Sequence, residues 1–442
     1  MSVFRGEMPR QIVHVHRVAR LDHFIIAALS WLIASLVLPL DVYARETAGL
    51  SLAEAEQLAL EAEPGQLALL ARAEALQAQS VAAAQLPDPM LRLGLMNYPI
   101  EAGGFTTEGM TQVQVGVRQA FPPGQTRAAR QRQFQSLARE ANEHAGARSR
   151  EVLSAVRGAW LDVYYWTEAQ GILTGSRPYF EDLVTVTTSL YEVGRRNQQD
   201  VLRADLELSR LENRILDTNR QRLAARAALS EWVGSAAQRP LASELPAWTA
   251  LPDYETLSAG LEAHPSVQAA VARIAAHEAL VDVQKQSFKP GWALDLGYGY
   301  RDGLLPNGAP RSDFVSLSVT ADLPLFRRNR QDRSLAAAVS ERRAARQAQV
   351  QLLRRLNSRL ESQFVLWQEL NRRIELYDQK ILRQTRQQAE AALAAYRSQA
   401  GDFADVMRSY ISERDTRLEY LRMQVERAQS YAKIAELGGL TQ

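Results

Sequence analysis

The sequence predicts a mainly α fold that also contributes four strands to a membrane β-barrel, with two long-helix hairpins per chain. Three observations predict it. A leader-like N-terminus is followed by no apolar run long enough for a membrane helix. Four short stretches alternate with period two, and two helical stretches are unusually long. The strands and helices are written twice, at a spacing of 201–205 residues, and a repeat of that size fixes an architecture before any single element is considered.

At 442 residues the chain can bury a sizeable core. Its 52 Lys and Arg against 50 Asp and Glu give a formal charge of +2, without the basic excess that nucleic-acid binding demands. No cysteine is present, which excludes a disulfide framework, a thiolate metal centre, a cysteine nucleophile and an acylated-cysteine anchor. Arg5, Arg10, Arg17 and Arg20 lead into an apolar run from Phe24 to Leu40, and Val42-Tyr43-Ala44 places small residues at cleavage positions. Residues 1–44 are therefore expected to be a signal peptide, cleaved after Ala44, which leaves +1 on the mature chain. The alternative is an uncleaved anchor, for which the run is barely long enough. Any later membrane crossing must be made by strands.

The duplication divides the mature chain into structural repeats 45–250 and 251–442. Leu60-Glu61-Ala62-Glu63-Pro64 recurs as Leu261-Glu262-Ala263-His264-Pro265, each opening an Ala- and Gln-rich helix that ends near Gln85 or Gln286. Pro89 and Pro290 then lead into β-hairpins at 90–121 and 292–324. In the first hairpin Leu91, Leu93 and Leu95, then Val113, Val115 and Val117, alternate with polar or small residues. In the second, Trp292, Leu294, Leu296, Tyr298 and Tyr300, then Val315, Leu317 and Val319, do the same. Such alternation gives a strand one apolar and one polar face. A half-buried sheet of a soluble domain alternates in the same way. The leader, the aromatic strand ends and the Gly/Pro-rich loops at 98–110 and 301–312 favour a membrane hairpin. Four strands cannot close a barrel, and an open edge does not survive in lipid, so copies must pool strands: a dimer supplies eight and a trimer twelve. Arg92, Gln114, Arg118 and Asp295 would then face the barrel lumen.

Phe121-Pro122-Pro123 and Leu323-Pro324 end the hairpins where a missing N–H is harmless. Long helices follow, from about Arg127 to Leu190 and from about Asn329 to Tyr396. At 1.5 Å per residue each reaches roughly 95–100 Å. Leu353, Leu356, Leu360, Phe364, Trp367, Leu370, Ile374, Tyr377 and Ile381 form a seam of coiled-coil type, while Gly175-Ser176-Arg177-Pro178 should kink or interrupt the first helix. The chain turns back at tips near 191–203 and 396–408, where Tyr191, Gly194 and Asp200 correspond to Tyr396, a displaced Gly401 and Asp405. Return helices run to about Trp232 and Leu437, and 234–253 links the halves.

No catalytic constellation stands out, so no enzyme is expected, and no cofactor. His264 and His277 are thirteen apart, not at the i, i+4 spacing of two ligands on one helix face; no metal site is expected. Met90, Met96 and Met110 suit packing or lipid contact better than soft-metal binding. Arg327-Arg328-Asn329-Arg330 and Arg342-Arg343 look like a phosphate patch in isolation, but a solvated helix start and polar face account for them in a charge-balanced chain. Asp200 and Asp405 are equally suited to be helix N-caps or gate residues.

These features resemble the TolC-like outer membrane efflux protein family over about 50–440. The segment from Leu86 to Ile100, LPDPMLRLGLMNYPI, and Val115-Gly116-Val117-Arg118-Gln119-Ala120-Phe121-Pro122 are similar to its heavy-metal branch, typified by the cobalt–zinc–cadmium component. The resemblance implies a homotrimer with a twelve-stranded barrel in the outer membrane and a helical tunnel in the periplasm. It implies docking onto a periplasmic adaptor and an inner-membrane pump of the resistance–nodulation–division type. It places Tyr191, Gly194, Asp200, Tyr396, Gly401 and Asp405 at the periplasmic tip, where the tunnel closes and the adaptor docks. Asp405 matches the first of two pore-narrowing tip aspartates, and Arg408 replaces the second. The expected function is passive efflux, with heavy-metal cations as cargo. Drug efflux or a type I secretion duct of the same fold is the alternative, and a periplasmic coiled-coil scaffold is the alternative of another class.

Overall fold

The computed structural model describes residues 49–61 and 63–440; the expected signal peptide and its cleavage site lie outside the described residues. The elements in chain order are α1 (Leu52–Glu61), α2 (Pro64–Ala83), β1 (Met90–Met96), β2 (Gln112–Phe121), α3 (Thr126–Glu192) and α4 (Gln198–Val233). They continue as α5 (Tyr254–Gly260), α6 (Pro265–Gln286), β3 (Trp292–Tyr300), β4 (Phe314–Ala321), α7 (Gln331–Leu376), α8 (Leu382–Arg397) and α9 (Phe403–Gly438).

Local chemistry sets the ends. Pro64 and Pro265 stand at the first helical positions of α2 and α6, where a missing N–H is free. Their caps differ. The Glu63 carboxylate accepts from the Gln66 N–H and is held 2.9 Å from Arg148, while His264 Nδ1 accepts from the Ser266 N–H at 3.1 Å.

The four strands form one antiparallel sheet in the order β1-β2-β3-β4. Leu93 lies opposite Val115, Val115 opposite Tyr298 and Tyr298 opposite Val315. The in-register pairing gathers Leu91, Leu93 and Leu95, the valines of β2 and β4, Leu317 and the large residues of β3 onto one face, as period two requires. That face is exposed, with Leu91, Leu93, Val315 and Leu317 all at 68–74%. The prolines flank the sheet, and β1 and β4 are its edges.

Below the sheet the helices pack through small residues. Ala138, Ala141 and Ala145 of α3, and Ala269, Ala272, Ala276 and Ala279 of α6, are buried at steps of three and four, which allows close backbone approach along a shared seam. Farther down, larger side chains take over. Trp160 is buried and donates from Nε1 to the Leu50 carbonyl at 3.0 Å, and Trp248 of the linker stacks on Tyr431 at 4.9 Å.

Two departures from the sequence reading concern helix continuity. The first long helix is not interrupted: α3 runs 67 residues with Pro178 inside it. Pro178 is exposed, so its ring costs one backbone hydrogen bond without disturbing a packed face. The second long helix contains a π turn, Tyr377–Ile381, between α7 and α8. The seam residues Leu356, Leu360, Leu370 and Ile374 are buried up to that turn; no proline or glycine marks it.

Candidate functional site

The polar face of the sheet brings Arg92, Gln114, Arg118 and Asp295 together. Arg118 lies directly across from Asp295. The Asp295 carboxylate, 16% exposed, has Arg92 at 3.6 Å and Arg118 at 3.8 Å, so each chain presents a net single positive charge there. Gln114 reaches Ser316 Oγ at 3.5 Å. Glycines make the room. A Cβ on Gly297 would stand 2.7 Å from Ser316 Oγ and 3.1 Å from Gln114 Nε2, and one on Gly299 would collide with the Gln112 carboxamide at 1.9 Å. Polar side chains can therefore lie flat across the sheet. By register, Met90 and Met96 share this face with Arg92, not the apolar face expected for lipid contact.

The helix ends at the other extreme form two matched turns. After α3, the Gly194 N–H bonds the Tyr191 carbonyl at 2.9 Å and the Arg195 N–H bonds Leu190 at 2.9 Å, with Gly194 at φ 72. After α8, the Gln399 N–H bonds Tyr396 at 3.1 Å and the Ala400 N–H bonds Ala395 at 2.9 Å, with Gln399 at φ 65. Both are Schellman closures. The structural counterpart of Gly194 is thus Gln399. Gly401 lies two residues on and takes no positive φ.

The paired tyrosines differ in setting. Tyr191 is 45% exposed, while Tyr396 is fully buried beneath the Arg196 guanidinium at 4.7 Å and beside Phe403 at 5.6 Å. Burial raises the Tyr396 hydroxyl above its usual range; the Asp200 charge adds to this and Arg196 opposes it. Arg196 also donates to the Gly401 carbonyl at 2.9 Å, tying one tip to the other. Arg196, Gln399 and Phe403 were not singled out from sequence. An Arg in a turn and a Gln in a helical run carry no periodic signal.

Neither aspartate is the N-cap weighed from sequence. The caps are Asn197 and Asp402, and Asp200 and Asp405 sit three residues later, in the first turns. A first-turn carboxylate still meets the positive end of the helix dipole. Asp405 is paired with Arg408 at 3.2 Å, both well exposed; such pairs contribute little to stability.

His144 and His277 line a cavity of about 640 Å³ with Glu140, Arg273 and Glu341. Among the described residues no group of three His, Asp or Glu is placed to hold a metal, and no helix is long and apolar enough to cross a membrane.

Residues 256–440 match the family described as outer membrane efflux protein. Among solved structures, the chain is similar to the outer-membrane channel OprN, at 19% identity over 88% of this chain and 90% of that one, TM-score 0.75. It is also similar to CusC, whose structures concern transmembrane channel formation, at 15% identity over 89% and 93%, TM-score 0.75. A third is the outer membrane protein VceC of Vibrio cholerae, at 18% identity over 88% and 96%, TM-score 0.73. These likenesses establish a TolC-like fold. No curated protein matches the chain.

Proposed function

We propose that three copies join their sheets edge to edge into a twelve-stranded outer-membrane barrel, continued by a periplasmic helical tunnel, as the passive duct of a tripartite efflux system. The observation that carries this reading is a four-stranded sheet with an exposed apolar face and two open edges. Water does not favour such a face, and lipid does not tolerate the edges unless neighbours close them. Trp292 stacks on Phe121 at one end of the apolar band, and Tyr298, Tyr300 and Phe105 stand at the other. Aromatic girdles are placed in that way in membrane barrels.

On this reading Arg92, Gln114, Arg118 and Asp295 line the barrel lumen. Tyr191, Gly194, Asp200, Tyr396, Gly401, Asp405 and Arg408 form the periplasmic end, where an adaptor linked to an inner-membrane pump of the resistance–nodulation–division type would dock. No covalent step is involved. Heavy-metal cations as cargo are supported by the resemblance of the 86–100 segment to the heavy-metal branch. On this reading cargo selection belongs to the pump rather than to this wall, since a conduit must release what it carries.

The test is the state of the mature protein. It should stay with membranes after osmotic shock, require detergent and sediment as a trimer; a soluble monomer would overturn the duct. For cargo, a deletion strain should become sensitive to divalent heavy metals with its tolerance of organic toxicants unchanged. The reverse pattern would reassign the cargo.

A further inference from the structure

Directly below the apolar band, where both hairpins leave for the helices, the chain gathers cations: Arg132 and Lys285 pair with Asp282, and five others have no ion-pair partner among the described residues. The segments 122–133, 285–291 and 322–333 carry nine Arg and Lys against two Asp, an excess larger than that of the whole chain. Lys289, Arg327, Arg328, Arg330 and Arg333 are exposed, and among the described residues none forms an ion pair. Arg327 is steadied over the Phe288 ring at 5.9 Å. Interleaved with these charges, Leu323, Leu325 and Phe326 are 68, 72 and 85% exposed.

Two features select the occupant. The first is continuity: Leu323 and Leu325 follow β4 directly and carry its exposed apolar run of Val315, Leu317 and Val319 on to Arg327. The second is charge. Guanidinium forks match phosphate oxygens, and basic residues just outside an apolar band with aromatic ends are attracted to anionic head groups. A solvated helix start explains Arg330 and Arg333 but not three large apolar side chains left in water beside them.

We propose that this collar binds the phosphate head groups of anionic phospholipids in the periplasmic leaflet, an inference that rests on the sheet being a membrane barrel. Each basic residue at an anionic surface adds up to about a fivefold factor, so removing three should abolish a severalfold preference at low salt.

The experiment uses the full mature chain reconstituted in phosphatidylcholine vesicles containing about a tenth phosphatidylglycerol, then re-extracted in mild detergent, with co-purifying lipids counted by mass spectrometry. Phosphatidylglycerol should be enriched severalfold over its bulk share, and the enrichment should disappear in high salt. The Arg327→Gln/Arg328→Gln/Arg330→Gln variant should return to the bulk share. Arg342→Gln/Arg343→Gln, roughly 20 Å along α7 and beyond the screening length, should keep the enrichment. Equal enrichment in wild type and triple variant would overturn the proposal and turn the cations toward an acidic protein surface. If the triple variant does not assemble, the salt titration of the wild type decides, and an enrichment insensitive to salt overturns the collar. Flotation with pure phosphatidylcholine vesicles separates the layers: a chain that does not float loses the barrel reading, whereas one that floats without enrichment loses only the collar.

Discussion

His264 gives the stability of this protein a calculable pH dependence. It caps α6 with Nδ1 accepting from the Ser266 N–H, a bond available only to the neutral ring, and it is 5% exposed. Burial first, then the Arg150 charge, push the imidazole down from 6.5 to about 4, with the Glu436 carbonyl pulling weakly the other way. The unfolded chain therefore takes up a proton that the folded chain refuses. Stability is complete above about 6.5 and falls as pH drops toward 4. The whole gap is worth about 3 kcal/mol, of which about 2 kcal/mol is lost between pH 7 and pH 5. Nearby Glu436 works in the opposite sense, because burial raises its carboxyl. A variant that changes only the histidine cancels this contribution. His264→Asn keeps a capping oxygen and removes the titration. In thermal unfolding of the detergent-solubilised protein, the wild type should lose roughly 2–3 °C more than the variant between pH 7 and pH 5, from the entropy of a chain this size. Equal losses would show that His264 carries no depressed titration.

Pro178→Ala should restore an N–H for the Thr174 carbonyl inside α3 and raise stability by up to about 3 kcal/mol, read as a higher midpoint; an unchanged midpoint would mean that the proline adds no strain. Gln399→Gly should stabilise by about 1 kcal/mol, because Gln399 is held at φ 65, a region that disfavours side chains. Gly194→Ala should cost a similar amount at the matched turn, and any other pair of signs would contradict the equivalence of the two turns. Asp295→Asn should strand Arg92 and Arg118 without their carboxylate and shift reversal potentials in planar bilayers toward anions; an unchanged value would remove this cluster from the conduction path. Asp405→Ala should raise single-channel conductance or weaken cation block, and no change in either would remove Asp405 from the gate.

The parts of this fold that repeat a period were legible in the sequence. Val115, Tyr298 and Val315 lie side by side on one face because a one-residue slip would turn a strand's whole apolar set to the polar face. The long helices were equally readable, since nothing between Thr126 and Glu192 offers a turn except one proline. That proline shows where reading fails. A kink or an interruption at Pro178 was expected; the helix is not interrupted, and the neighbouring turns of α3 bury Leu173, Ser176, Phe180 and Leu183. Packing on both sides outweighs one missing hydrogen bond. The π turn at Tyr377–Ile381 is the reverse case, a break that no breaker residue marks, at a point where Tyr377 donates to Glu419 across to α9 at 2.8 Å.

Individual sites were least legible where two chain segments about 200 residues apart supply one contact. Glu63 and His264 occupy matched positions before Pro64 and Pro265, and both cap a helix, although one does so as a charged acceptor and the other as a neutral one. The difference lies in the partners. The Arg148 hydrogen bond is the main influence holding Glu63 below its ordinary range, against the opposing pull of burial, whereas burial first, and the Arg150 charge second, keep His264 uncharged. The tips repeat this logic. Tyr191 and Tyr396 stand at the same place in the same turn, and only Tyr396 is buried, because Arg196 from the opposite tip covers its ring. A duplicated sequence specifies two copies of a backbone; the contacts between the copies make them unequal, and such contacts leave no mark in the period.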